Sequence, residues 1–138
     1  MGRILAIDYG KKRTGIAVTD PAKIIPGGLT TVDTNMLIPF LKEYLAKEDV
    51  ECVVVGWPVQ LDGKPSENQQ RVAAFVNTLR KQMPQLRIEP YDERFTSAIA
   101  QRTMIDAGLG RKRRQNKALV DEISATIILQ SFMDSQNL

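Results

Sequence analysis

Short apolar segments separated by turn residues occupy the start of the chain and predict three β-strands. Ile4 to Ile7 is an apolar run bounded by Asp8-Tyr9-Gly10, which is typical of a strand buried on both faces of a sheet. Gly15 to Thr19 and Leu29 to Val32 follow after short turns. Because these connections are short, the three strands are predicted to form an antiparallel meander.

After Thr34 the apolar positions change to helical spacing, and strands and helices then alternate. A first helix is indicated by five apolar residues, namely Leu37, Phe40, Leu41, Tyr44 and Leu45. Ser66 with Gln69 three residues later predicts the start of a second helix. The remaining predicted elements are strands over Val50 to Gly56 and Leu86 to Tyr91, and helices over Thr96 to Ala107 and about Lys117 to Phe132.

This order of elements predicts an α/β fold built as one domain over residues 1–138. A strand meander followed by βαβ units implies a mixed five-stranded sheet, with the later strands parallel and the helices packed on the sheet. The order is that of the ribonuclease H-like fold. No internal repeat or linker-like segment interrupts it.

Composition narrows the chemistry that the domain can perform. The 138 residues include no His and one Cys, Cys52, which excludes imidazole catalysis, His-ligated zinc and disulfide chemistry. A bound metal must therefore be a hard cation held by oxygen. No apolar run approaches the roughly 20 residues of a membrane-spanning helix, and the start of the chain lacks the layout of a signal peptide. We expect a cytoplasmic protein without a membrane partner.

Two aspartates stand out as candidate catalytic residues. Asp8 ends the first buried strand, where a charge is costly unless a partner neutralises it, although a turn aspartate before Gly10 is an equally simple explanation. Asp121 lies within an apolar helical stripe that includes Ala125 and Ile128. Either its carboxylate is buried against a cation, or this helix face is less buried than the pattern suggests.

The pair Asp92-Glu93 follows the fifth strand and supplies further candidate ligands. Ligands of α/β sheets collect beyond the carboxyl ends of strands, so this pair could converge with Asp8 and Asp121. Clustered carboxylates repel one another unless they bind a divalent cation. The four acids therefore suit a site in which two Mg²⁺ or Mn²⁺ ions catalyse the hydrolysis of a phosphodiester. We favour Glu93 over Asp92 as the middle metal ligand, because Asp92 could instead cap the next helix.

Two basic segments are candidate contacts for nucleic acid. Lys11, Lys12 and Arg13 join the first two strands beside Asp8, and a second run precedes the helix that carries Asp121. Such segments grip a phosphate backbone without reading sequence, although solvated loops have the same composition. With Arg94 after the acidic pair, the remaining candidates are Arg111, Lys112, Arg113, Arg114 and Lys117.

Four ordered segments resemble the YqgF family, also called RuvX. They are Ile7-Asp8-Tyr9-Gly10 with Gly15-Ile16-Ala17-Val18, Val55-Gly56-Trp57-Pro58 with Asp62-Gly63, Asp92-Glu93-Arg94-Phe95-Thr96, and Val120-Asp121-Glu122-Ile123-Ser124-Ala125. The resemblance implies a ribonuclease H-like, metal-dependent nuclease that processes the 5′ end of precursor 16S ribosomal RNA on ribosomal precursor particles. It also implies Asp8, Asp121 and the Asp92-Glu93 pair as the acids. RuvC-like resolvases have a glutamate where this chain has Gly56.

The leading hypothesis is therefore a Mg²⁺- or Mn²⁺-dependent phosphodiesterase acting on structured RNA, as a monomer or weak homodimer. Holliday junction resolution on branched DNA is the second reading, and it requires a two-fold dimer to cut two strands symmetrically. A nucleic-acid-binding module without catalysis is the third. An ATPase of the actin type, suggested by Asp8 to Gly15, is disfavoured because such enzymes close two domains around ATP.

Overall fold

A computed structural model describes residues 2–58, 67–92 and 117–136 of the chain. In these ranges the strands are β1 (Arg3–Asp8), β2 (Arg13–Thr19), β3 (Pro26–Asp33), β4 (Val50–Trp57) and β5 (Arg87–Asp92). The helices are α1 (Leu37–Lys47), which follows a 3₁₀ turn at Thr34–Met36, α2 (Glu67–Gln82) and α3 (Lys117–Ser135). None of these helices is long and apolar enough to cross a membrane.

All five predicted strands are confirmed, and differences are confined to element ends. β3 begins at Pro26, three residues before the predicted start, because the backbones of Gly27 and Gly28 pair with β2 although they offer no side chain to a hydrophobic pattern. α3 continues three residues beyond Phe132. The predicted cap at Ser66 and the predicted helix over Thr96 to Ala107 lie outside the described residues.

The five strands form one mixed sheet in the order β3-β2-β1-β4-β5. β2 is antiparallel to both β1 and β3, whereas β4 is parallel to both β1 and β5. The meander thus occupies one half of the sheet and the βαβ units the other, with β1 at the centre. This confirms the α/β class and the ribonuclease H-like order of strands.

Alternation along the central strands gives the sheet two apolar faces. The face that packs against α3, here called the α3 face, contributes a cluster of buried residues, namely Ile4, Ala6, Ala17, Cys52, Val54, Ala125, Ile128, Leu129, Phe132 and Met133. On the opposite face, here called the α1/α2 face, Leu5, Ile7, Ile16, Val53 and Val55 pack against residues of α1 and α2. β1 and β4 are buried on both faces, as their near-continuous apolar runs predict.

Several elements meet at one end of the sheet, here called its carboxyl end, where β1, β4 and β5 terminate and β2 begins. β3 also ends there, since Asp33 pairs with Arg13. α1 and α2 run back toward the starts of β4 and β5, so both helices begin at the carboxyl end. Open α/β sheets bind ligands at this end of their strands.

Candidate functional site

Asp8 is the last residue of β1 and lies half-buried at the carboxyl end of the sheet. Ile4 and Ala6 belong to the α3 face, and alternation therefore places Asp8 on the same face. Its partner on β2 is Gly15, and Gly56 follows Val55, the β4 partner of Ile7. Because both neighbours are glycines, neither adjacent strand crowds the Asp8 carboxylate with a side chain.

Asp121 lies in the second turn of α3 and reaches the sheet at Gly15. A Cβ atom built on Gly15 would collide with the backbone carbonyl of Asp121 and come within 3.0 Å of its Cβ atom. Gly15 is also the residue that pairs with Asp8. The close approach of α3 to this glycine therefore brings Asp8 and Asp121 to the same spot on the α3 face.

Arg13, from the basic turn after β1, forms an ion pair with Asp121. Its Nε donates a hydrogen bond to Asp121 Oδ2 at 3.1 Å, and the side chains of Arg13 and Asp121 are 37% and 23% exposed. The apolar stripe around Asp121 left two explanations open, and each holds in part: the carboxylate is paired with a cation, and this face of the helix is only partly buried at Asp121. Arg13, which the sequence predicted as a contact for nucleic acid, therefore pairs with a candidate metal ligand.

Whether Asp92 or Glu93 is the middle metal ligand depends on which of the two side chains faces the same side of the sheet as Asp8. Tyr91 packs on the α3 face, where its ring meets Phe132 edge-on at 6.0 Å and its hydroxyl is 2.5 Å from Ser131 Oγ. Ile88 packs on the α1/α2 face. Alternation assigns Asp92 to the face of Ile88, opposite to Asp8. Glu93, the favoured ligand, lies outside the described residues.

The other predicted contacts to nucleic acid are only partly within the described ranges. Lys11 and Lys12 are exposed in the turn beside Asp8, so they are available to a phosphate backbone. The predicted cations Arg94, Arg111, Lys112, Arg113 and Arg114 lie outside the described residues, and Lys117 is described only as the first residue of α3.

A few residues without a sequence signal shape the α1/α2 side of the site. Thr34 donates a hydrogen bond to the carbonyl of Gly10 at 2.6 Å, and its hydroxyl lies 2.9 Å from that of Thr14. Asn68 Nδ2 donates to the carbonyl of Tyr9 at 3.2 Å. These contacts fasten the turn after Asp8 to the start of α1 and of α2. Hydroxyls and amides used in this way leave no periodic pattern in the sequence.

The oxygen donors present suit a hard divalent cation, but the described residues hold only part of such a site. Within these ranges no group of three or more acidic or cysteine side chains is placed to hold a metal ion. Asp8 and Asp121 approach each other through Gly15, and Arg13 pairs with the Asp121 carboxylate. Mg²⁺ and Mn²⁺ prefer such oxygen ligands and retain several waters.

Comparison with known proteins identifies close relatives. A protein-family model described as "RuvX: Holliday junction resolvase" matches residues 2–135. A protein of Phocaeicola vulgatus named "Putative pre-16S rRNA nuclease" is 58% identical over 136 residues, covering 99% of this chain and 98% of its own. A Flavobacterium johnsoniae protein of the same name is 54% identical, covering 99% of both.

Among solved structures, YeaZ from Pseudomonas aeruginosa is similar at a TM-score of 0.46 and 18% identity. That match covers 78% of this chain and 50% of YeaZ.

Proposed function

Because the chain belongs to the RuvX family, we propose that it is a metal-dependent endonuclease that cleaves the precursor of 16S ribosomal RNA near its 5′ end. Relatives that align over nearly their whole length carry a name for this activity. The proposed substrate is structured RNA on ribosomal precursor particles, and the proposed place of action is the cytoplasm. The reaction is hydrolysis of a phosphodiester bond.

One structural observation carries the proposal. The backbone of Asp121 packs against Gly15, which pairs with Asp8, so two acidic residues from distant parts of the chain lie near each other at the end of β1. Placing two acids side by side is costly for stability, because like charges repel. Such repulsion is typical of sites that bind a cation, because the cation neutralises it.

We propose Asp8, Glu93 and Asp121 as ligands of one or two Mg²⁺ or Mn²⁺ ions. When bound, these ions would activate a water and stabilise the departing oxygen of the phosphodiester. Asp92 is the alternative middle ligand, disfavoured by its place on the α1/α2 face. The carboxylates then hold the cations, and neither strand beside Asp8 adds a side chain next to them.

The basic residues have separate proposed tasks. Lys11 and Lys12, exposed beside Asp8, bind backbone phosphates of the substrate, together with the predicted cations Arg94, Arg111, Lys112, Arg113, Arg114 and Lys117. Arg13 neutralises Asp121 and limits its repulsion from Asp8. Phosphate contacts of this kind provide affinity and register without sequence preference.

Cleavage assays on Asp8→Asn and Asp121→Asn test the function. We expect wild type to cut a 5′-extended 16S precursor RNA only when Mg²⁺ or Mn²⁺ is present. Both variants should lose at least about a hundredfold in rate, because an amide replaces the charge that the metal requires. RNA binding measured in EDTA should stay within about twofold of wild type.

Asp134→Asn is the matched control, since Asp134 is an exposed acid near the end of α3, beyond Phe132 and Met133, which pack with Ile4 at the opposite end of the sheet. Its rate should equal that of wild type. Full metal-dependent cleavage by purified Asp8→Asn and Asp121→Asn would refute the proposal.

The description of the matching family favours Holliday junction resolution as a second candidate. That reaction needs two sites related by a two-fold axis, whereas trimming of RNA needs one. Sedimentation of the protein with and without a four-way DNA junction separates the two. A junction-bound dimer with paired cuts supports resolution, whereas a monomer that ignores the junction and cuts precursor RNA supports the first proposal.

A further inference from the structure

A cavity of about 370 Å³ opens on the α1/α2 face, one residue beyond Asp8. Its walls come from the end of β1, the start of α1 and one side of α2, and they include Tyr9, Thr34, Arg71, Phe75 and Thr78. The volume lies within the roughly 300–1,000 Å³ of small-molecule sites. Because Tyr9 follows Asp8 directly, the cavity lies next to the proposed cleavage site but on the opposite face of the sheet.

The walls of this cavity are held in place before any ligand arrives. Tyr9 stacks on Phe75 with ring centroids 5.1 Å apart, and Asn68 binds the Tyr9 carbonyl. On the other side, the Thr34 hydroxyl binds the carbonyl of Gly10. A site whose walls are already fixed loses little conformational freedom when it binds a ligand.

The chemistry of the walls matches a nucleotide. The half-buried ring of Tyr9 offers an aromatic surface, and every nucleobase has a π-face that stacks on aromatic side chains. Arg71 is half-exposed on α2, and no ion pair of its guanidinium occurs within the described residues. A guanidinium in this position can bind two oxygens of one phosphate. The hydroxyls of Thr34 and Thr78 donate to the carbonyls of Gly10 and Ala74, which leaves their oxygens as acceptors for a base edge or a ribose.

We propose that this cavity, here called the Tyr9 pocket, binds one unpaired nucleotide of the substrate strand beside the scissile phosphate. The base stacks against Tyr9, and Arg71 holds its phosphate. A strand that crosses the carboxyl end of the sheet meets Asp8 on one face and Tyr9 on the other. The inference rests on the proposed function for its substrate class and adds to it a requirement for an unpaired residue next to the cut.

Binding without cleavage tests the pocket. Dissociation constants are measured in EDTA by fluorescence anisotropy for a 12-nucleotide oligouridine and for a fully abasic strand of the same length. In wild type the abasic strand should bind more weakly. Tyr9→Leu should lower the ratio of the two dissociation constants about tenfold, in line with the stacking of a single base. Tyr9→Phe, which keeps the ring, should preserve that ratio.

Arg71→Gln should weaken both strands alike and lower the magnitude of the salt slope by about 0.7, the value for one contact to a single strand. Arg80→Gln is its matched control, an exposed arginine in the last turn of the same helix, away from the pocket. Thermal unfolding checks that each variant folds. If Tyr9→Leu does not fold, two other measurements test whether the pocket binds a nucleotide. They are the binding of Arg71→Gln and a photocrosslink from 4-thiouridine RNA to the peptide that contains Tyr9.

Unchanged binding by Tyr9→Leu and Arg71→Gln, or crosslinks only to other peptides, would overturn the pocket. These assays need no catalysis, so a protein that fails to cleave precursor RNA can still confirm the pocket, and an active nuclease can still refute it. A wild-type protein that binds neither strand would refute the pocket, and the cleavage assay on precursor RNA would still decide the proposed function.

Discussion

Arg13 and Asp121 form the contact on which the electrostatics of the site depend. The guanidinium occupies one carboxylate oxygen of a proposed metal ligand at 3.1 Å, with both side chains partly exposed. Ion pairs with this exposure contribute about 0.2–1 kcal/mol. A cation of this kind and a divalent metal compete for the same lone pairs, so Arg13 sets how strongly a metal must bind.

Arg13→Gln should therefore lower the Mn²⁺ concentration that gives half-maximal thermal stabilisation, by about two- to fivefold for such a pair. Differential scanning fluorimetry over a Mn²⁺ series measures this. Arg87→Gln is the control, because Arg87 forms a comparable pair with Glu89 at 2.9 Å at the opposite end of the sheet. A higher Mn²⁺ requirement in Arg13→Gln would show instead that Arg13 orients Asp121.

Cys52 provides a pH-dependent prediction at the residue scale. Its thiol is buried in β4, and burial raises its pKa from 9.0 to about 11; the nearby positive charge of Arg87 opposes the rise, and Glu89 and Glu51 add to it. Between these two pH values the thiol ionises in the unfolded chain but not in the folded one. The free energy of unfolding should therefore fall as pH rises from 9 to 11.

Urea unfolding of wild type and Cys52→Ala measures this effect. The stability advantage of wild type should be constant below about pH 8 and should shrink above pH 9, because the unfolded thiol titrates near 8.5. A difference that stays constant up to pH 11 would contradict the raised pKa.

At the scale of elements, the docking of α3 on β2 creates the site. α3 approaches so closely at Gly15 that no Cβ fits between the strand and the backbone of Asp121. Gly27, on β3 of the same sheet, has open space in the corresponding position. Of these two glycines of one meander, only Gly15 lies against the backbone of α3.

Gly15→Ala should lower the free energy of unfolding by about 1–3 kcal/mol, the usual cost of overpacking. It should also abolish cleavage, since α3 must move away and take Asp121 with it. Gly27→Ala should change stability by no more than about 0.5 kcal/mol. Urea unfolding and the precursor-RNA assay measure both variants. Equal behaviour of the two would refute this account of α3 docking.

The turn between β2 and β3 is ordered by one carboxylate. Asp20 accepts hydrogen bonds from the amides of Ile24 and Ile25, both at 2.7 Å, and from that of Ala22 at 3.2 Å. Donation from Ile25, then Ile24 and Ala22, holds the pKa of Asp20 below its ordinary 3.8. The charged carboxylate therefore stabilises the folded turn.

Asp20→Asn keeps an acceptor oxygen and removes the charge. A carboxyl with a lowered pKa contributes its stability above the unfolded pKa and loses it as pH falls through the folded value. The urea midpoint of wild type should exceed that of Asp20→Asn at pH 7, and the gap should begin to narrow near pH 4, about the pKa of an unfolded aspartate, and close as the pH falls further. A gap that does not vary with pH would contradict the assignment.

At the scale of the whole molecule, the cations are concentrated in two short segments of the chain. The net charge of +3 combines 19 cations with 16 acids, and eight of those cations fall within Lys11 to Arg13 and Arg111 to Lys117, which contain no acid. The rest of the chain therefore carries more acids than cations. Lys11, Lys12 and Arg13 lie at the carboxyl end of the sheet, where they would attract a polyanion.

Removing Lys11 and Lys12 together, as the double glutamine variant, should lower the magnitude of the log–log salt slope of RNA binding by up to about 1.5, since each single-strand contact contributes about 0.7. The control is the double variant Lys47→Gln with Lys81→Gln, which removes the same charge from the last turns of α1 and α2. Equal slopes for the two double variants would show that the basic turn does not contact phosphate.

Sequence patterns predicted the described strands and helices in their order along the chain, because these follow from local periodicity and short-range turn chemistry. They also identified Asp8 and Asp121 as acids in apolar surroundings, and the cation against Asp121 as one of two explanations. They missed the Tyr9 pocket, since residues such as Tyr9, Thr34 and Arg71 belong to separate segments and share no pattern. Glu93 remains a prediction, because it lies outside the described residues.

The sequence by itself determined the α/β class, the succession of strands and helices, and the oxygen-only chemistry that a chain without His allows. Tertiary structure alone decided which groups meet. Arg13 and Asp121 are 108 positions apart and touch only because β2 and α3 pack at Gly15. Contacts between such distant residues depend on the register and packing of whole elements, which no local pattern records.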